Sequence, residues 1–340
     1  MKFDFASRLE KLKKLVGGRA DALLLSAGEG FDANAYYYSG DETHPTLLLV
    51  SRDYSAIFSL HAQDFSHVFD DCFPLKNARK KLSELAKKMG VKKLGVDDFS
   101  ASAGSAIRLA NKLKINLVPL GEKLGELRVL KDSQEISCIK KACSITLHAL
   151  AEIAEKGFVG KAENQLAGFL EERARGMGAG LDAFPPMVLS GKRACLFHNS
   201  TSNKKILANE AVLVDCGARY NYYCADYTRV FFEGKSKKII DAINAVEEAK
   251  NAAVKKALKG VATGEQLNKL SLKVIQEYGF GKYSHKNAGH GIGHFIGLNV
   301  HDGGDFSKTR LRPGMAFTIE PGIYVPGEFG VRVEDTIVLE

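Results

Sequence analysis

The run Val212-Leu213-Val214-Asp215 carries an apolar strand directly into a carboxylate, and Cys224-Ala225-Asp226-Tyr227 does the same soon after. An ionised aspartate in such surroundings is badly solvated and must find a partner. Both segments are strand-like and their connection is short, so a β-hairpin is expected. With its turn centred on Tyr220 and Asn221, Asp215 stands directly opposite Asp226, at the cross-strand Cβ spacing of about 4.5–5.5 Å. Two carboxylates that close repel unless a cation lies between them or one takes a proton. Another turn centre would send both acids to solvent, but the flanking apolar residues argue against it.

Two glutamates have the same character. Glu320 ends the run Ala-Phe-Thr-Ile-Glu before Pro321-Gly322, and Glu334 sits among Val331, Val333, Ile337 and Leu339. Between the two pairs, the Gly-rich stretch Ala288–Asp302 holds His290, His294 and His301. Glycine lets backbone approach a ligand closely, and imidazole is the commonest metal ligand. That stretch alone is equally consistent with a loop of satisfied histidines; the carboxylates make the case. Four strand-borne carboxylates and an imidazole form a hard ligand set whose charge balances two divalent cations, suited to manganese, cobalt, zinc or ferrous iron. Two such ions about 3.5–4 Å apart share a hydroxide, polarise a carbonyl and stabilise a tetrahedral intermediate. That is hydrolytic chemistry.

The rest of the chain supplies the scaffold. A helix is expected over residues 3–17, followed by strands at 22–25, 46–50, 55–60, 93–96 and 115–119, with helices over 78–89 and 101–113. This alternation describes an α/β domain. His44, His61 and His67 lie in it, as surface or core residues. A boundary falls near Gly121–Gly125 and separates residues 1–122 from 123–340. Beyond it, Asp132 and Glu135 form a capping-box pattern for a helix to about Lys156. Further helices are expected over 162–175 and 237–258, and from Thr263 to Gly279 with Gln266 in the reciprocal capping position. Strands at 187–189, 211–215, 223–232, 316–320 and 331–339 complete an α+β domain with a mostly antiparallel sheet.

The 340 residues carry a net charge of +8, but the lysines are spread along the chain, so no nucleic-acid partner is expected. The stretch Met1–Lys14 is charged and amphipathic, without a signal-type apolar run, and nothing approaches the length of a membrane span. We expect a cytoplasmic protein whose six cysteines, none in a C-x-x-C pair, are free thiols. Cys216 and Cys224 adjoin the carboxylates, which are the better-placed ligands.

The order Asp215, Asp226, His294, Glu320, Glu334 resembles that of the dinuclear metallopeptidases with the pita-bread fold, which include methionine aminopeptidase, aminopeptidase P and prolidase. The motifs that carry the resemblance are Val-Asp-Cys-Gly, Ala-Asp-Tyr-Thr-Arg, Gly-His-Gly-Ile-Gly-His, Val-His-Asp, Thr-Ile-Glu-Pro-Gly and Val-Arg-Val-Glu-Asp. The first domain, with Asn-Ala-Tyr-Tyr-Tyr-Ser-Gly, resembles the creatinase-type domain of the proline-handling branch, which methionine aminopeptidases generally lack. The implied fold is a C-terminal pita-bread catalytic domain behind a smaller α/β creatinase-type domain.

The resemblance also implies the site. Asp215 would chelate one divalent ion, Asp226 and Glu334 would bridge two, and His294 and Glu320 would complete the second; Mn2+, Co2+ or Zn2+ would serve. His301 would hydrogen-bond the scissile carbonyl, His198 would steer the substrate, and His290 matches a further active-site histidine of proline-specific members. Glu320 would shuttle a proton to the leaving amine, and Arg332 would orient the bridging carboxylates. The arginine that holds a dipeptide carboxylate in prolidases has no unambiguous counterpart; Arg310 and Arg312 are candidates or ordinary surface residues, and Phe184, Tyr222, Phe295 and Ile296 would line the pocket or belong to the core. The implied assembly is a homodimer.

The leading expectation is an aminopeptidase P-like enzyme acting on peptides with proline in second place. The alternative is a prolidase confined to Xaa-Pro dipeptides. Asp302 after His301 leans toward the first, and the short chain toward the second. A non-catalytic binding protein on the same fold would have lost ligand positions, and a metal-free amidinohydrolase of creatinase type would lack the full carboxylate set. Here every such position is filled.

Overall fold

The computed structural model describes residues 3–28, 30–42, 45–100 and 103–340, and the chain divides into two units, Met1–Leu127 and Arg128–Glu340. The first unit runs through α1 (Phe5–Gly17), β1 (Ala22–Ala27), α2 (Ala33–Ser39), β2 (Thr46–Ser51), β3 (Ser55–Ser59), β4 (Asp71–Pro74), α3 (Ala78–Lys88), β5 (Lys93–Val96), α4 (Gly104–Leu113) and β6 (Asn116–Pro119). Its six strands form one sheet in the order β4-β3-β2-β1-β5-β6, antiparallel at β1–β2 and β2–β3 and parallel elsewhere. Every residue of β1 is buried, because helices cover both faces. Leu24, Leu49 and Phe58 pack against Leu82, Leu85 and Leu109 of α3 and α4, while α1 and α2 lie against β1 and β2. His61 and His67 are exposed. His44 and the first residue expected for α4, Ala101, lie outside the described residues.

The helix α5 (Gly121–Arg128) reaches the division, and the second unit continues with α6 (Ser133–Lys156), α7 (Glu163–Gly176), β7 (Leu181–Asp182), β8 (Met187–Ser190), β9 (Val212–Cys216), β10 (Ala218–Tyr220), β11 (Tyr223–Cys224) and β12 (Tyr227–Phe231). Then come α8 (Lys237–Ala257), α9 (Gly264–Glu277), the single turn α10 (His285–Ala288), β13 (Ala316–Ile319), β14 (Gly322–Val325), β15 (Phe329–Arg332) and β16 (Asp335–Val338). Both expected capping boxes are present. Asp132 accepts the Glu135 N–H while Glu135 accepts the Asp132 N–H, and Thr263 and Gln266 do the same. Among the described residues every strand pair of this unit is antiparallel. The α8 stripe Ala242, Ala245, Ala249 has side chains small enough for close approach, and it packs with Val274, Ile275, Val325 and Val331. Among the described residues no helix is long and apolar enough to cross a membrane.

Three expectations need correction. The hairpin turn is Asn221-Tyr222, both with positive φ (46° and 69°), as a two-residue type I′ turn requires. The register therefore places Asp215 opposite Thr228, not Asp226. A two-residue displacement keeps the same sheet face, so the two aspartates remain diagonal neighbours, close enough for Asp215 to help raise the Asp226 carboxyl. The strand expected over 223–232 is broken at Ala225-Asp226, where the Asp226 N–H leaves the ladder for Thr336 Oγ1 (3.0 Å). The strand expected over 331–339 is likewise broken at Val333-Glu334, and an unforeseen strand, β14, pairs with β15.

Candidate metal centre and active site

Asp226 and Glu334 sit in those two strand breaks, where a side chain is released from the pleat and can be aimed. Thr336 Oγ1 donates back to the Asp226 carbonyl (2.8 Å), and the Glu334 N–H donates to Thr228 O (3.0 Å), so the two breaks are stitched together. Asp215 lies on β9, Glu320 follows β13, and the Glu320 N–H donates to Ile292 O (2.8 Å). His294 is clamped by Thr318: the Thr318 N–H donates to His294 O (2.8 Å) and the His294 N–H to Thr318 Oγ1 (3.2 Å). Residue 293 must be glycine for this approach, since a Cβ there would collide with the Thr318 carbonyl.

The imidazole of His294 is oriented as a ligand. Its Nδ1 lies 3.1 Å from Phe295 O, and a carbonyl only accepts, so Nδ1 carries the proton. The lone pair is left on Nε2, which faces Asp226 Oδ2 at 3.6 Å and Glu320 Oε1 at 3.8 Å. One ligand atom from each of Asp226, His294 and Glu334 falls within 4.8 Å of the others. The Oδ1 atoms of Asp215 and Asp226 are buried without a hydrogen-bond partner. Buried carboxylate oxygens with no donor are what a cation would satisfy, so the residues fit a divalent metal.

Electrostatics say the same. Burial, then Glu334 and Asp215, push the Asp226 carboxyl well above its usual range; burial and Glu334 do so for Glu320; burial and Asp215 raise Glu334. Arg332 offsets part of this. Its Nη2 donates to Asp215 Oδ2 (2.5 Å) and its Nε to Thr228 Oγ1 (3.0 Å), and that hydroxyl donates to Glu334 Oε2 (2.8 Å). Cys216 and Cys224 are buried thiols pushed up by burial, Cys224 to about 11, and so are poor ligands beside the carboxylates.

The three other candidate histidines sit in different environments. His290 Nδ1 lies 2.9 Å from Gly291 O and 3.6 Å from Glu320 Oε2, and burial followed by Arg332 pushes its pKa down to about 3. Its Nε2 accepts from Tyr324 OH (3.0 Å), which accepts in turn from Arg332 Nη1 (3.2 Å). His301 is exposed, with its ring edge-on to His294 at 4.2 Å between centroids. His198 is also exposed, next to Phe197, whose ring lies 5.2 Å from that of His290. Arg310 and Arg312 are exposed on the stretch bridging to Thr263 and touch none of these residues. Phe295 and Ile296 are core residues, whereas Phe184 and Tyr222 are half-buried.

Sequence reasoning missed Tyr324, Thr228 and Thr336. The two threonines had a signal: each lies two residues after a site carboxylate, which in a strand means the same face. Tyr324 had none, because nothing in Gly-Ile-Tyr-Val marks its hydroxyl as a hub.

A buried set of carboxylates around a lone-pair imidazole, on an α+β scaffold, defines a metal-dependent hydrolase. The chain belongs to metallopeptidase family M24, whose model matches residues 137–340. It is 32% identical to the Xaa-Pro dipeptidase of Pyrococcus horikoshii, over 97% of this chain and 94% of that one, and 31% identical to that of Pyrococcus furiosus, over 98% and 94%. Among solved structures, the X-Pro aminopeptidase of Thermotoga maritima superimposes with a TM-score of 0.82 at 29% identity, covering 98% of this chain and 95% of that one. The prolidase of P. furiosus gives 0.80 at 28% identity over 94% of each chain. The fold is the expected one, a pita-bread peptidase fold with a smaller α/β domain before it, and the chain is a peptidase.

Proposed function

We propose that the chain is a Xaa-Pro dipeptidase, a prolidase. The observation that carries this is the convergence of Asp226, His294 and Glu334 in a chain similar end to end to two Xaa-Pro dipeptidases. The broader aminopeptidase P reading, the leading expectation from sequence, is favoured by Asp302 after His301 and by the likeness to the T. maritima X-Pro aminopeptidase.

In this reading residues 123–340 form the catalytic domain behind the creatinase-type domain of residues 1–122. Asp215, Asp226, His294, Glu320 and Glu334 hold two divalent ions, of manganese, cobalt or zinc. When bound, these would supply Lewis acidity, lowering the pKa of water and polarising the scissile carbonyl. Glu320, whose carboxyl burial and Glu334 hold toward the protonated form, carries a proton to the leaving proline nitrogen. His290 stands beside Glu320, its Nδ1 3.6 Å away, and the Tyr324 hydroxyl fixes the imidazole from behind. His301, beside His294, bonds the scissile carbonyl, while His198, on its exposed loop, steers the substrate. Arg332 is a positioning residue that holds Asp215 directly and Glu334 through Thr228. Proline at the second position makes a tertiary amide with no N–H to bind, so recognition falls on shape and on the groups flanking it. The six cysteines, none in a C-x-x-C pair, are read as thiols of a reducing, cytoplasmic setting, and the assembly is read as a homodimer.

The test is hydrolysis of a Xaa-Pro dipeptide and a Xaa-Pro-Xaa tripeptide by chelator-stripped protein refilled with each metal. Metal-dependent cleavage confined to the dipeptide supports the proposal. Cleavage of the tripeptide makes the chain an aminopeptidase, and cleavage of neither with metal bound overturns both readings.

A further inference from the structure

Behind His301 lies a group of charges that the metal chemistry does not use. Arg128, Lys131, Asp302 and Glu135 are all at least nine-tenths buried. Arg128 donates to Asp302 Oδ1 through Nε (3.1 Å) and Nη2 (2.6 Å), and Lys131 Nζ donates to Asp302 Oδ2 (3.5 Å). Asp302 is joined by a single peptide bond to His301, whose ring stands against His294.

The loop from Gly297 to Asp302 is held on every side by this group and its neighbours. The Asp302 N–H donates to Phe295 O (2.9 Å), and the Cys224 N–H donates to Gly297 O (2.8 Å). Tyr223, one residue earlier, donates to Glu135 Oε1 (3.1 Å), while Glu135 Oε2 caps α6 through the Asp132 N–H (2.9 Å). Gly297 packs so tightly that a Cβ there would strike the Asp302 carboxylate and the Lys131 stem. Two cations and two anions are thus enclosed with their charges balanced.

Burying such a set is a poor way to gain stability, because desolvation offsets most of the attraction. What paired, buried charges do provide is one geometry, since any other arrangement leaves a charge without its partner. Beyond the edge of the His294 ring, an exposed histidine on a Gly-rich loop has little else to fix it.

We propose that Asp302, gripped by Arg128 and Lys131, is the positioning residue for His301, setting where its imidazole stands relative to His294. The proposal rests on the role given to His301 above, and a double-mutant cycle in the full-length, metal-loaded protein tests it. Asp302→Asn keeps the shape and removes the charge. It is expected to lower kcat on a Xaa-Pro dipeptide by about tenfold to a hundredfold, the scale of a misplaced catalytic group, with KM and metal content little changed. In a His301→Ala background the same substitution should change kcat less than about twofold, because the group it positions is gone. A loss of fold alone would multiply in both backgrounds. If Asp302→Asn does not fold, Arg128→Lys, which keeps the charge but gives up the two-donor grip, enters the same cycle. Equal losses in both backgrounds, or no loss in either, overturn the proposal. A His301→Ala enzyme with undiminished kcat overturns the role of His301 itself, and the proposal with it.

Discussion

The guanidinium of Arg332 ties Asp215 to Glu334: its Nη2 bonds the first directly, and its Nε reaches the second through the Thr228 hydroxyl. Burial pulls the Arg332 pKa down, but Tyr324, Asp215, Glu334 and Glu320 around it push it well above its ordinary value, so the guanidinium stays charged. Arg332→Met should therefore lower metal affinity by about tenfold to a hundredfold, the usual effect of losing a group that orients ligands. Metal titration by calorimetry checks this. Arg332→Lys should recover only part of the loss, since an ammonium cannot reach both partners in one plane.

Metal entry should release protons. Burial and mutual repulsion raise Asp226, Glu320 and Glu334 above their ordinary ranges, so the metal-free centre holds protons that a cation must displace. Calorimetric titration in two buffers of different ionisation enthalpy would measure the number released. It should be above zero near pH 6, and affinity should fall as the pH is lowered; zero release would refute the protonated resting state.

Glu163, fully buried at the start of α7, accepts five hydrogen bonds. They come from Ser190 N and Oγ, Ser202 N and Oγ, and Arg193 Nε, and together they close the loop that carries His198. Glu163→Gln puts an amide N–H₂ against donors and leaves Arg193 without its anion. We expect a loss of about 2–4 kcal/mol in urea unfolding, and a raised KM because His198 is no longer held.

His285 sets a pH dependence of stability. Burial pushes its pKa down to about 4, from 6.5. The unfolded imidazole thus takes a proton before the folded one does. Its contribution is fully present above pH 6.5 and is lost as the pH falls from there toward 4, by about 3 kcal/mol in all. His285→Gln, which can still pair with Asn268, should flatten that part of the stability curve relative to the parent. Urea midpoints at pH 5 and 7.5 decide it; parallel slopes would remove His285 from the account.

The parts of this protein legible in its sequence share one property: they follow from neighbours in the chain. The Asp132–Glu135 and Thr263–Gln266 caps involve residues three apart, and a helix start is a local competition for orphan N–H groups. The apolar strands announced themselves by composition. Asp215, Asp226, Glu320 and Glu334 stood out because each is a charge in an apolar setting. The turn was misplaced by one residue, because positive φ at Asn221 and Tyr222 suits asparagine but gave no cue in a tyrosine.

By itself the sequence determined which residues cannot rest in solvent, and so which acids and which histidine had to find a common partner; burial cost is a property of each residue in its strand. Only the tertiary structure decided how they meet. It broke two strands so that Asp226 and Glu334 could turn inward, brought Thr228 and Thr336 between them, and set Tyr324 behind His290. It also closed Arg128 and Lys131 onto Asp302, more than 170 residues away. Those contacts join segments far apart in the chain. Their geometry is set by packing and by the need of every buried charge for a partner, which no local pattern encodes.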